Sequence, residues 1–219
     1  MITVACVFVR GHVPFTSEYV LKLRSMVARH LPQEHRFVCL TDRPSLFRNS
    51  SVNTVEVPSP SLGTFAWWRK LNLFDSQIEE LQSGRCMYLD LDTLIFNSLV
   101  PILDFNAGFA LAPDDAPNFK GKGGRVTVKK FNSSVMVWNG GEQNDLYDEF
   151  KLSVTNRLWG DQDWIGERKP EAVAMPLAWF PRLSQCPDGP THEAKVLLCK
   201  KPKNADAARA IPWVKEAWV

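Results

Sequence analysis

The 219-residue sequence lacks any run of about twenty apolar residues, the length a helix needs to cross a bilayer, so no transmembrane helix is expected. Its first ten residues, MITVACVFVR, have no basic n-region and are too short for a secretory leader. A strong charge imbalance is also missing. The formal net charge is +2, too small to argue by itself for a nucleic-acid or membrane partner. The five cysteines include no C-x-x-C pair, so neither a zinc knuckle nor a redox motif is offered. Cys6, Cys39 and Cys86 lie inside apolar runs, which reads as buried, reduced thiols in a reducing compartment. There is no internal repeat and no low-complexity linker. These absences predict a soluble, cytoplasmic, globular chain.

What is present fits one domain. Hydrophobic residues make up 45%, aromatics 11% and charged residues 23%, values that allow a sizeable core over residues 1–219. Eight tryptophans are many. Aromatic faces suit sugar handling, and core packing explains tryptophan equally well.

Strand-like and helix-like segments alternate. Ile2 to Val9 is a continuous apolar run, as for a strand covered on both faces. Thr16, Ser17 and Glu18 open a helix carrying Tyr19, Val20, Leu23 and Val27. Arg36 to Thr41 and Val52 to Val57 read as strands. Trp67, Leu71, Phe74, Ile78 and Leu81 have helical spacing. Arg85 to Leu91 is a central strand ending in acidic residues, and Ala107 to Ala112 and Ser133 to Trp138 are further strands. The polar segment between them, with Gly121, Gly123 and Gly124, is too long for a plain connection and predicts a functional loop. Helices are expected over about 142–156, after Asp161 and near 205–218, with a last strand over 194–199. This alternation predicts an α/β fold with a mostly parallel sheet and right-handed crossovers. Ligands of such sheets bind beyond the carboxyl ends of the strands.

The clearest chemical signal is Met87-Tyr88-Leu89-Asp90-Leu91-Asp92-Thr93-Leu94-Ile95. In extended chain, residues i and i+2 share a face, so Asp90 and Asp92 can converge on one hard cation, Mg²⁺ or Mn²⁺, with phosphate oxygens completing its shell. Two like charges buried side by side without a cation are expensive. The structural alternative makes one Asp a helix N-cap and leaves the other solvated. Two enzyme classes compete for the motif. Haloacid-dehalogenase-like phosphatases carry D-x-D on their first strand, with Thr or Val two residues after the second Asp. Here Leu94 stands there and a complete strand–helix–strand half comes first. In GT-A glycosyltransferases a nucleotide-binding half precedes a closing D-x-D. Position favours the second class.

At this point the sequence resembles the glycogenin-like family, glycosyltransferase family eight, and its bacterial relatives. Trp67-Trp68-Arg69-Lys70-Leu71 resembles the family's helix with a lysine ahead of the D-x-D, and Asp90-Leu91-Asp92-Thr93-Leu94 its D-x-D-T-L. Phe131-Asn132-Ser133-Ser134-Val135 resembles its F-N-S-G-V strand, and Gly160-Asp161-Gln162 its G-D-Q. The resemblance covers residues 1 to about 203. It implies a GT-A fold with a nucleotide-binding half over 1–92 and a sugar- and acceptor-binding half over 93–219. It also implies transfer of a hexose from a nucleotide-diphosphate sugar, with UDP favoured by analogy, and with retention. Implied donor contacts are Val9, Lys70, Asp90, Leu91, Asp92, Asn132, Ser133, Lys200 and Lys203, with Mn²⁺ or Mg²⁺ on Asp90 and Asp92. Asp161, Gln162 and Lys70 carry the implied catalytic roles.

From the residues alone, alternatives stay open. Lys70, at the edge of an apolar stripe, is either snorkelling or aimed at an anion. Asn132 reads as a turn residue and Asp161 as an N-cap. The chain departs from the family where its late metal-binding His is expected, in Leu198-Cys199-Lys200-Lys201-Pro202-Lys203. Cys199 takes the His position and Lys200 that of a Gly. A thiolate is a soft ligand poorly matched to Mg²⁺ or Mn²⁺, so the third ligand stays open between Cys199, His192 and water. The lysines there suit charge-assisted contacts to a diphosphate. The basic stretch from Lys120 to Lys130 would close over phosphates or grip an anionic acceptor: a glycan, a lipid-linked sugar or a modified nucleic acid. It also leaves open a non-catalytic nucleic-acid-binding module, and a plain solvated loop. With three tyrosines, Tyr19, Tyr88 and Tyr147, and no C-terminal extension, self-glycosylation of the glycogenin kind is not expected.

Overall fold

A computed structural model describes residues 1–10, 15–58, 66–114, 130–199 and 210–219. Lys200, Lys203 and the basic stretch 120–129 lie outside them. The apolar runs form β1 (Ile2–Phe8), β2 (His35–Thr41), β3 (Asn53–Glu56) and β4 (Arg85–Leu89), with α1 (Ser17–His30) after β1. β5 (Leu94–Ile95), α2 (Val100–Leu103), β6 (Phe109–Pro113) and β7 (Phe131–Asn139) follow. Then come α3 (Asp145–Asp148), α4 (Asp161–Arg168), β8 (Val173–Ala174), β9 (Val196–Leu197) and α5 (Pro212–Ala217). Seven strands form one sheet in the order β3-β2-β1-β4-β7-β6-β8, and β5 pairs with β9 in a small second sheet.

The sheet is mostly parallel, as the alternation predicts. β7 is the exception, antiparallel to both β4 and β6. Strand residues alternate between two apolar clusters. Val4, Cys6, Phe8, Met87 and Leu89 face α1, while Ala5, Cys86 and Tyr88 face Trp68, Leu71 and Phe74. Both faces are covered, which is why these strands read as unbroken apolar runs. Gly84, at φ 73°, turns the chain into β4, and a Cβ there would sit 2.0 Å from the Met1 carbonyl oxygen.

Two expected helices are shorter or tighter than their periodicity implies. Ala66–Phe74 is a 3₁₀ helix, followed by a separate 3₁₀ turn at Glu79–Leu81. The Asn72 side-chain amide donates to the Arg69 carbonyl at 2.9 Å, taking the acceptor that an α-helix would need for its next bond. The helix expected over 142–156 breaks into α3 and a 3₁₀ turn at Leu152–Asn156. Phe150 is drawn between Trp68 and Trp164, with ring centroids at 5.1 and 6.0 Å. Only the last part of the final expected helix, α5, falls within the described residues.

The antiparallel sense of β7 decides the geometry of one edge. The start of β7 lies beside the end of β4, and the Asp90 backbone N–H donates to the Ser134 carbonyl at 2.8 Å. β6 ends at the same rim, with Pro113 opposite Phe131.

Candidate active site

Tyr88 points toward the Trp68 face of β4, and Asp90 follows two residues later on that side. The Tyr88 hydroxyl donates to Asp90 Oδ1 at 2.5 Å. The 3₁₀ segment Ala66–Phe74 lies over this face, and from it Lys70 Nζ reaches Asp90 at 2.9 Å. The same ammonium donates to Ser133 Oγ at 3.2 Å and approaches Asp161 Oδ2 at 3.9 Å. Residues from the 3₁₀ segment, β4, β7 and α4 thus meet at the carboxyl end of β4. Lys70 is neither snorkelling nor solvated: it is the hub of the cluster.

Asp161 is not the N-cap of α4. Gly160 holds that position, and Asp163 Oδ2 accepts its N–H at 3.0 Å. Relieved of capping, Asp161 sits 3% exposed, and its Oδ2 has no hydrogen-bond partner among the described residues. Asn132 is not a turn residue: it lies within β7 opposite Ala112, beside a register shift, and its side-chain oxygen accepts from the Ser134 N–H at 2.8 Å. Gln162 and Val9 are partly exposed, at the start of α4 and just past β1. Leu91 is buried in the α1-side core.

Asp92 arrives differently from the extended-chain expectation. β4 ends at Leu89, and the Thr93 N–H and hydroxyl both donate to the Asp90 carbonyl, at 3.2 and 2.7 Å. A tight turn therefore replaces extended chain between the two aspartates, and it brings Asp92 under the influence of Asp90. Burial, then Asp90, push the Asp92 carboxyl up to about 7, against the opposing pull of Lys70. Burial also raises Asp161 above the usual carboxylate range, despite Lys70 and a Ser133 hydrogen bond. For Lys70 burial works against the charge, yet Asp90 and Asp161 outweigh it, and the ammonium titrates above its ordinary value. Three carboxylates thus surround one ammonium, an excess of negative charge in a largely dry place.

That imbalance fits a hard divalent cation. The donors are carboxylate oxygens, Asp161 Oδ2 lacks a hydrogen bond among the described residues, and the Asp92 carboxyl is pushed up to about 7 by burial and its like-charged neighbour. Of the candidates for a third ligand, Cys199 is half-buried and His192 lies at the surface. Burial, with Asp92 adding to it, pushes the Cys199 thiol up to about 12 in the absence of a cation. Among the described residues no three His, Cys, Asp or Glu side chains are arranged to hold a metal ion. Asp90 and Asp92 offer a partial set that leaves positions for phosphate oxygens and water.

One rim neighbour escaped sequence reasoning. Beyond the ends of β1, β2 and β3 opens a cavity of about 670 Å³ lined by Arg10, Asp42, Arg43, Phe47, Arg48 and Glu56. Asp42 is buried at its base, accepting from the Arg10 N–H at 3.2 Å and pairing with Arg43 at 3.5 Å. Tyr88 was likewise missed as a site residue, although its i, i+2 relation to Asp90 was legible.

This sheet order, with one antiparallel strand beside the acidic strand end, is the GT-A fold. Two solved structures share it over nearly the whole chain. The galactosyltransferase LgtC, in complex with donor and acceptor sugar analogues, is 14% identical with a TM-score of 0.62, over 91% of this chain and 87% of that one. An active-site mutant of LgtC, with a glutamine changed to glutamate, is 14% identical with a TM-score of 0.64, over 91% and 88%. At that identity the likeness establishes the fold. No family model and no curated protein matches the sequence. Among the described residues no helix is long and apolar enough to cross a membrane.

Proposed function

We propose that the chain is a divalent-metal-dependent glycosyltransferase that moves a hexose from a nucleoside-diphosphate sugar, UDP-linked by analogy, to an acceptor with retention. The observation that carries this is the Lys70–Asp90–Asp92–Asp161 cluster at the carboxyl end of β4, where three carboxylates share one ammonium. The fold's likeness to a galactosyltransferase crystallised with donor and acceptor sugar analogues supports it. A haloacid-dehalogenase-like phosphatase fits less well, because the acidic pair ends the fourth strand in sequence and not the first.

Asp90 and Asp92 would hold Mn²⁺ or Mg²⁺, which supplies charge stabilisation to a departing diphosphate. Strand spacing of about 4.8 Å puts the end of β2 roughly 10 Å from that of β4, so a nucleoside extending across Val9 reaches the cavity at Arg10 and Asp42. Lys70 ties Asp90 to Asp161 and keeps positive field where the diphosphate leaves. Asp161 and Gln162 orient the hexose, the unmatched Asp161 oxygen accepting a sugar hydroxyl and offsetting positive character at the anomeric carbon. Ser133, whose hydroxyl accepts from Lys70, lines the same side, and Asn132 would bind hydroxyls of the donor sugar from the neighbouring position of β7. The anomeric C–O bond to phosphate breaks, the bond to the acceptor oxygen forms on the same face, and the acceptor proton passes to the leaving phosphate oxygen.

Calorimetry with UDP, with and without Mn²⁺, tests the proposal together with donor hydrolysis. Asp90→Asn and Asp92→Asn should abolish manganese-dependent affinity and hydrolysis while the fold persists. Wild-type values in both variants refute it.

A further inference from the structure

The small second sheet runs into the acidic turn. β5 and β9 are antiparallel, with Leu94 opposite Leu197 and Ile95 opposite Val196. Two places further along that register come Asp92 on one segment and Cys199 on the other. The ladder is anchored. Leu94, Val196 and Leu197 are buried in the α1-side core, and the Phe96 N–H donates to the Lys195 carbonyl at 2.9 Å. On the other side of this segment the Leu198 N–H donates to the Pro181 carbonyl at 3.1 Å. Backbone pairing on both sides thus delivers Cys199 to the turn that carries Asp92, and its thiol feels the Asp92 charge. Cys199 is half-buried there, whereas Cys6, Cys39, Cys86 and Cys186 are buried.

The acidic pair alone is a poor cage. Asp90 Oδ1 accepts from both Tyr88 and Lys70, and Lys70 also reaches Oδ2 at 3.1 Å. An ion shared with Asp92 therefore gains from another protein donor, and the side chain that the ladder sets against Asp92 is a thiol. We infer that Cys199 ligates the divalent ion as a thiolate beside Asp90 and Asp92, and that its sulfur biases the site toward borderline cations such as Co²⁺ and Zn²⁺. The inference rests on the glycosyltransferase proposal and deepens it. Sulfur gains little from Mg²⁺ or Mn²⁺, while zinc-like ions accept mixed sulfur and oxygen donors. The ion's own charge drives the thiol proton to solvent as the metal–sulfur bond forms. Among the described residues no three ligating side chains are gathered beforehand, so the ion itself closes the set.

The test titrates Co²⁺, Zn²⁺ and Mn²⁺ into the full chain, read by calorimetry and absorption spectroscopy. Cobalt should give an intense near-ultraviolet sulfur-to-metal charge-transfer band. In Cys199→Ser that band should vanish, and Co²⁺ and Zn²⁺ affinity should fall about tenfold or more, since losing even an outer partner of a ligand costs roughly 10–100-fold. Mn²⁺ affinity should change less than about threefold. Cys199→His should recover most of the Co²⁺ affinity without the band. No band in the wild type, a band that persists in Cys199→Ser, or equal losses for all three ions overturns the inference. Wild-type affinity for UDP with each ion, measured first, separates the two levels. If any ion supports it, a negative cobalt spectrum sinks thiolate ligation alone; if none does, the glycosyltransferase proposal fails as well.

Discussion

Replacing Lys70 by methionine keeps most of the side-chain volume and removes the charge at the centre of the cluster. At an effective dielectric of about 20, the 2.9 Å contact to Asp90 corresponds to about 6 kcal/mol of attraction, before desolvation of the ammonium is set against it. The side chains of Lys70 and Asp90 are 12% and 20% exposed, so solvent screens part of this. Removing one partner of a fully buried pair costs about 3–5 kcal/mol, so here about 2–3 kcal/mol is expected. For a chain of this length that lowers the midpoint of thermal unfolding by about 5–10 °C at pH 8. The dependence on pH is the signature. Asp92 and Asp161 are held above their ordinary values by burial even with Lys70 present. Without it they climb further, and the native state carries protons that the unfolded chain has released. Stability then falls as pH rises through that window. The deficit of Lys70→Met should be larger at pH 8 than at pH 5, because the lost Asp90 contact counts at both while Asp92 and Asp161 add to it only at the higher pH. Thermal unfolding of both proteins across that range, without metal, measures it. A deficit under about 0.5 kcal/mol at pH 8, or one equal at both pH values, refutes the electrostatic account.

Asp92→Asn should stabilise the metal-free protein by about 2 kcal/mol at pH 8, because the wild-type carboxyl, held near 7, is destabilising once ionised. Its unfolding midpoint should lose the decline that the wild type shows as pH rises from about 4 to 7. Manganese affinity of the wild type should fall roughly tenfold per pH unit below about 7, as the ion competes with the Asp92 proton; calorimetry between pH 5.5 and 8 checks this. Tyr88→Phe removes the 2.5 Å donor to Asp90 and should cost about 1–2 kcal/mol in urea unfolding. Asp163→Ala should cost about 1 kcal/mol by uncapping α4, and it should weaken donor affinity by loosening Asp161.

The parallel half of the fold was legible because strands covered on both faces must be apolar throughout, and β1, β2 and β4 are. The direction of β7 was not, since an apolar run has the same appearance either way. The 3₁₀ form of Ala66–Phe74 was hidden too: its residues repeat at helical spacing, and the Asn72 side chain's bond to the Arg69 carbonyl, which competes with the α-helical pattern, does not show in that spacing. In the site, the D-x-D pair and Lys70 were found, but through different physics for each. Asp90 follows from strand period. Asp92 does not, because the chain turns at Leu91 and its proximity to Asp90 comes from the Thr93 bonds. Burial, which sequence does not give, is what raises the Cys199 thiol and brings the Asp92 carboxyl toward neutrality.

Pro113 and Phe131 face one another at the rim that holds Asp90. The chain therefore leaves the sheet at Pro113 and rejoins it at Phe131, side by side. Closing a longer detour adds only about 0.6 kcal/mol per doubling. The scaffold can thus accept a different connection between Pro113 and Phe131 without re-registering a single strand.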